Sequence, residues 1–179
     1  MNNDAQKKYK VGISIGKFLP MHLGHISGIQ TLSYFCEKVY VLFYNDTKKE
    51  RTITDAWGKA YPVNVRVADA EKVFKDCENI IIKIIDVPSD ITFPNDYLKI
   101  KSMVEQLIGC EADAQTFGAE EIAIYEPYKY AREILPGTIH AVENQNGEIV
   151  PLHSTLIRND YDFFKKYLPK VIRTTIDSM

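Results

Sequence analysis

Nothing in this chain reads as a disulfide frame. Its three cysteines, Cys36, Cys77 and Cys110, are odd in number and scattered, with no C-x-x-C pair. That usage predicts reduced, mostly buried thiols and argues against a zinc site of the usual spacing. Long apolar runs are missing too. None reaches the length that crosses a bilayer, and the polar opening MNNDAQKKYK lacks the apolar segment of a secretory leader. Nor is there an excess of one charge: 22 Lys and Arg against 24 Asp and Glu leave a formal net charge of −2. General nucleic-acid and membrane-surface binders carry a basic surplus, so neither class is expected. A small anionic ligand needs only a local cluster of donors and stays open. The expectation is a soluble, cytoplasmic protein.

What is there is ordinary globular material. The chain of 179 residues is 45% hydrophobic and 26% charged, enough for one self-sufficient core. No repeat, low-complexity stretch or linker divides it, so residues 1–9 are expected as a flexible tail and 10–179 as one domain. Short apolar runs at Val11–Ile15, Val39–Tyr44 and Ile80–Ile85 predict buried strands, with a weaker fourth at 114–118. Leu23, Ile26, Ile29, Leu32 and Phe35 recur at helical spacing. Further helices are expected over 64–77, from a proline turn at Phe93 to a C-cap at Gly109, over 126–135, and from Ser154 to a stop at Pro169. A strand and turn at Asn146-Gly147 complete the set. Alternating strands and helices predict an α/β fold: a Rossmann-like, doubly wound parallel sheet with helices on both faces.

The densest chemistry lies in GKFLPMHLGH, Gly16 to His25, where the first strand hands over to the first helix. Ligands of open α/β sheets collect beyond the carboxyl ends of the strands, near that handover. His22 and His25 lie i, i+3 on one helix face, and the helix start offers unpaired N–H groups and a partial positive charge. Gly24 lets a ligand approach the backbone, Pro20 stiffens the loop and Lys17 adds a full charge. Together they favour a polyphosphate. Two structural histidines, or a metal pair lacking a third ligand, are the competing readings. Neither the Walker A pattern nor G-x-G-x-x-G is present.

GKFLPMHLGH resembles the G-[SK]-F-x-P-x-H-x-G-H signature of the nucleotidylyltransferase superfamily, and LHSTLIR (Leu152–Arg158) resembles its second signature, I-S-[SGA]-[ST]-x-I-R. The lysine after Gly16, FYNDTKKER after the second strand, GAEE after the fourth, and the tail NDYDFFKKYLPKVIRT are similar to NadR-type nicotinamide-mononucleotide adenylyltransferases. The likeness runs along nearly the whole chain.

The resemblance implies transfer of AMP from ATP to nicotinamide mononucleotide, making NAD and releasing pyrophosphate. By it, His25 steadies the α-phosphate, His22 the β-phosphate, Lys17 the phosphate oxygens from another side, and Thr155 and Arg158 the leaving phosphates. Gly16, Phe18 and Gly24 border the nucleotide; Gly118 and Glu120 border the adenosine through backbone groups or form an ordinary capped helix start, the latter favoured for the Glu120 side chain. A magnesium ion bridges the triphosphate, held by phosphate and water. Asp46 and Lys48 face the same crevice, a role weighed evenly against a solvated turn. Tyr97, near the place of a tryptophan in NadR-type enzymes, stacks on the acceptor base or packs in its own helix. Arg66 contacts phosphate from its helix or, as expected first, lies on a solvated helix face. His153 departs from the family's serine. The kinase domain that NadR-type proteins often carry is not expected in these 179 residues. Small-molecule substrates are the expected partners, and a homo-oligomer stays open. The alternatives are the same chemistry on nicotinate mononucleotide, pantetheine phosphate or FMN, and a nucleotide sensor without turnover. A fragment akin to class I tRNA-charging enzymes lacks its K-M-S-K-S segment here.

Overall fold

The computed structural model describes residues 7–117, 126–136 and 141–179. Five strands form one parallel sheet: β1 (Tyr9–Gly16), β2 (Cys36–Asn45), β3 (Ile80–Asp86), β4 (Ala112–Phe117) and β5 (Ala131–Pro136), in the spatial order β3-β2-β1-β4-β5. Side chains alternate faces along a strand. In β2, Val39, Val41 and Phe43 enter one hydrophobic layer while Tyr40 and Leu42 enter the other. Both faces are therefore buried, which is why this strand reads as an unbroken apolar run. Helices α1 (Leu23–Phe35) and α3 (Val63–Val73) cover the first face, and α4 (Tyr97–Ile108) covers the second.

Small residues let α1 lie close to the sheet. A Cβ at Gly12 of β1 would stand 2.7 Å from the Cys36 sulfur and 3.1 Å from Leu32, and one at Gly28 of α1 would meet Thr116 at 3.0 Å. Ile26, Ile29 and Leu32 are buried on that face, whereas Leu23 and Phe35, expected with them, are exposed at the helix ends. The order of strands reverses direction between β1 and β4. The carboxyl ends of those two strands thus flank the topological switch point, where such sheets bind ligands.

The rest of the chain departs from expectation in instructive ways. Residues 126–135 do not form a helix. Glu126–Tyr128 make one 3₁₀ turn and Ala131–Pro136 become β5. The edge of β4 supplies backbone partners, and the Gln115 side chain accepts the Tyr130 N–H and, at 2.8 Å, the Ala131 N–H. Pairing of buried backbone outweighs the helix preference of Ala, Arg, Glu and Leu. Thr47–Trp57, where no helix is expected, forms α2, with Asp46 as its N-cap and Gly58 closing it at φ 73°. The expected helix over 64–77 is α3, which starts after Pro62 and ends at Val73.

Beyond a two-stranded hairpin, β6 (Ala141–Glu143) and β7 (Ile149–Pro151), the turn at Asn146-Gly147 is present, with Gly147 at φ 78°. The late helix is broken. It runs as α5 (Ser154–Asn159), α6 (Tyr161–Phe164) and a 3₁₀ turn, stops at Leu168-Pro169 as expected, and Pro169 then opens a further, unexpected helix, α7 (Lys170–Asp177). Proline lacks an N–H, which a helix start does not need. Thr175 of α7 donates to buried Asp69 at 3.1 Å, beside the Tyr61 hydroxyl at 2.9 Å, and so fastens the end of the chain to α3. All three cysteines are free, but only Cys36 is buried; Cys110, past the helix-ending Gly109, is exposed. No helix among the described residues is long and apolar enough to cross a membrane.

The close approach of α1 to β1 is testable. Gly12→Val drives a branched side chain against Cys36 and Leu32, so it should cost about 1–3 kcal/mol in urea unfolding. A variant as stable as wild type would mean that α1 can move outward freely.

Candidate active site

The loop Gly16–Met21 leaves β1 at the switch point and returns as α1. Gly16 sits under an aromatic ring: a Cβ there would be 3.2 Å from Phe18. Phe18 itself adopts the left-handed region (φ 48°), uncommon for a non-glycine residue. That turn buries its ring, which meets Phe43 at 4.9 Å and the His25 ring, perpendicular to it, at 5.0 Å. Phe18 is thus a wedge behind His25.

The two imidazoles form a reciprocal cap on α1. His22 is the N-cap and its Nδ1 accepts the Gly24 N–H at 3.2 Å, while Nδ1 of His25 accepts the His22 N–H at 3.3 Å. Histidine here does the work a Ser and a Glu do in the usual capping box. Because each Nδ1 is an acceptor, the neutral ring carries its proton on Nε2. The rings stack 3.8 Å apart at 26°. Burial, with a smaller contribution from His153, pushes His25 down to about 3. It is therefore a neutral N–H donor across the physiological range.

Late elements supply the opposite wall. The Ser154 hydroxyl donates to the Pro20 carbonyl at 2.9 Å, and Arg158 donates to the Leu19 carbonyl and, at 3.0 Å, to the Thr155 hydroxyl. These bonds join residues 134 and 139 positions apart in sequence. Between the walls lies a cleft of about 540 Å³, lined by His22, His25, His153, Ser154, Thr155, Leu156 and Asn159, with Val150 and Pro151 of β7. His153 is the N-cap residue of α5 but its side chain makes no capping bond. Partial burial lowers the pKa of Arg158, which remains a cation.

Lys17 points elsewhere, to the β2 side of the loop. Its ammonium stands 5.3 Å from the Tyr44 ring centre and feels Asp46, Lys49 and Glu50, while burial lowers its pKa. Asp46 is buried, capping α2 through the Lys49 N–H at 3.2 Å, so it is no solvated turn; Lys48 is exposed on α2. Tyr97 is not in the histidine cleft. Its ring packs between Tyr128 and Tyr130 and its hydroxyl donates to the Lys129 carbonyl. Gly118 and Glu120 lie outside the described residues.

Two residues that pattern reading does not find stand next to Lys17. Arg66, expected in solvent, is 2% exposed. It donates to the Lys17 carbonyl and pairs with Glu50 of α2 at 2.5 Å. A charged residue amid VNVRVAD gives no sign of its burial in one dimension; the valines around it are the only hint.

No family model matches the chain, and neither does any curated protein. Solved structures do. NadR in complex with NR superposes with a TM-score of 0.60 at 19% identity, covering 91% of this chain and 44% of that one. A bifunctional NMN adenylyltransferase/ADP ribose pyrophosphatase from Francisella tularensis gives 0.57 at 14%, covering 91% and 44%. A candidate nicotinate-nucleotide adenylyltransferase from Vibrio parahaemolyticus gives 0.55 at 17%, covering 94% and 98%. This chain thus spans less than half of the two larger proteins and nearly all of the third. Five parallel strands in the order β3-β2-β1-β4-β5, the helices on both faces and these superpositions establish that the chain has the Rossmann-like fold seen in nicotinamide- and nicotinate-nucleotide adenylyltransferase structures.

Proposed function

We propose that the protein is an ATP-dependent adenylyltransferase that joins AMP to nicotinamide mononucleotide, forming NAD and pyrophosphate. The observation that carries this reading is the pair of imidazoles with both Nδ1 atoms committed to backbone N–H groups. That commitment puts the ring proton on Nε2 in two residues that line a cleft, whose other wall includes Thr155; Arg158 stands behind that wall, donating to the Thr155 hydroxyl. Neighbouring folds solved with NR, with NAD and AMP-PNP, and with AMP and a manganese ion make the ligand class reasonable.

In the proposed reaction a phosphate oxygen of the acceptor bonds to the α-phosphorus of ATP, and the bond from that phosphorus to the bridging oxygen of the β-phosphate breaks. The acceptor oxygen is already anionic, so no general base is needed. The chain's task is alignment and stabilisation of charge on the equatorial and departing oxygens. His25 donates to the α-phosphate, His22 to the β-phosphate, and Thr155 and Arg158 hold the departing pyrophosphate. Lys17 approaches from the β2 side. Among the described residues no group of three His, Cys, Asp or Glu could hold a metal, and the cleft offers N–H and O–H donors. A magnesium ion brought in on the phosphates would neutralise part of their charge there.

Incubation with ATP, magnesium and nicotinamide mononucleotide should yield NAD, and His25→Ala should cut kcat about 10²–10³-fold, the usual cost of losing one transition-state donor. A folded sample that binds ATP tightly but makes no dinucleotide from any acceptor in a panel including nicotinate mononucleotide would favour a sensor.

His25 also links stability to pH. In the unfolded chain its ring takes up a proton below about 6.5, whereas the folded ring stays neutral to about 3. The unfolded state thus binds more protons in between, and stability falls as pH drops through that window, at up to about 1.4 kcal/mol per pH unit. Urea unfolding between pH 6.5 and 5 should be less steep in pH for His25→Gln by nearly one proton. An unchanged slope would mean that the ring charges in the folded state.

A further inference from the structure

Arg66 and Glu50 are a buried ion pair with unfinished hydrogen bonding. Among the described residues, Glu50 Oε1, Arg66 Nε and Arg66 Nη2 are buried without a hydrogen-bond partner, so the contact of Nη2 with Glu50 Oε2 is an ion pair without hydrogen-bond alignment. Such a pair is a poor way to stabilise a fold, since taking two charges out of water costs about what their attraction returns, and apolar residues of similar size often serve as well. Its geometry suggests another use. Arg66 extends from α3, Glu50 from the first turns of α2, and the planar guanidinium spans the Glu50 carboxylate and the Lys17 carbonyl at once. Lys17 is the first residue after β1, and its ammonium is held against Tyr44 under the combined influence of Asp46, Lys49, Glu50 and Arg66.

We infer that Arg66 and Glu50 are positioning residues, whose buried pair clamps the Lys17 backbone and so fixes where the Lys17 ammonium meets a triphosphate. Arg66 is 2% exposed, so it acts from beneath the surface. The two helices between β2 and β3 thereby become part of the nucleotide site without touching the nucleotide. The inference rests on the proposed use of Lys17, and its test has a readout that does not need turnover.

Calorimetric binding of inorganic tripolyphosphate and ATP-dependent turnover are compared in wild type, Lys17→Met, the double replacement Arg66→Met with Glu50→Leu, and all three together. The apolar double replacement should unfold cooperatively near the wild-type midpoint, yet bind tripolyphosphate roughly tenfold more weakly. In the Lys17→Met background it should cost little more, because residues that act through one another are not additive. Should that double variant fail to fold, Arg66→Lys replaces it: one ammonium keeps a charge for Glu50 but cannot span both acceptors, and the same non-additivity is expected. Losses that multiply, wild-type binding in the double variant, or no binding of tripolyphosphate by wild type would overturn the clamp. If wild type binds tripolyphosphate with the expected pattern but forms no dinucleotide, the proposed reaction fails and the clamp stands.

Discussion

The site depends on two imidazoles spending one nitrogen each on the start of a helix. A helix start leaves several N–H groups without partners, and Ser, Thr, Asp or Asn usually supply the acceptors. Here His22 and His25 supply them, and two consequences follow. The rings are fixed in orientation by the helix itself, stacked and backed by Phe18. Their tautomer is fixed as well, so what each ring presents is a donor. Local folding and chemistry are the same hydrogen bonds seen from two sides.

The remaining elements serve that arrangement. Glycines at 12 and 28 bring α1 down onto β1 and β4, which sets the depth of the histidines at the switch point. Ser154 and Arg158 bind the loop carbonyls of Pro20 and Leu19 and so satisfy backbone groups that the turn leaves unpaired. Thr155 then lines the cleft from the same short helix, its hydroxyl accepting from Arg158.

Much of this is legible in one dimension because it is local. Strand, loop and helix start are consecutive from Val11 to His25, and their apolar period and glycines announce them. The parallel sheet follows from the alternation of β1, α1, β2, α3, β3 and α4. What escapes is what depends on distant partners. The segment AREIL looks helical until β4 offers it an edge. The lysine-rich start of α2 gives little apolar signal, and only Asp46 as a cap marks it. Arg66 looks solvated because Glu50 and Lys17, its partners, stand 16 and 49 positions before it. Tyr97 faces both ways in sequence, and its neighbours Tyr128 and Tyr130 come from a connection far along the chain.

The two walls of the cleft are held together by bonds from near the beginning of the polypeptide to near its end, so the pocket exists only once the last quarter of the chain has docked. Any anion that fills it ties down both walls together and stabilises the assembled molecule alone, not a partly folded one. Occupancy of this cleft is therefore also a seal on the completed fold.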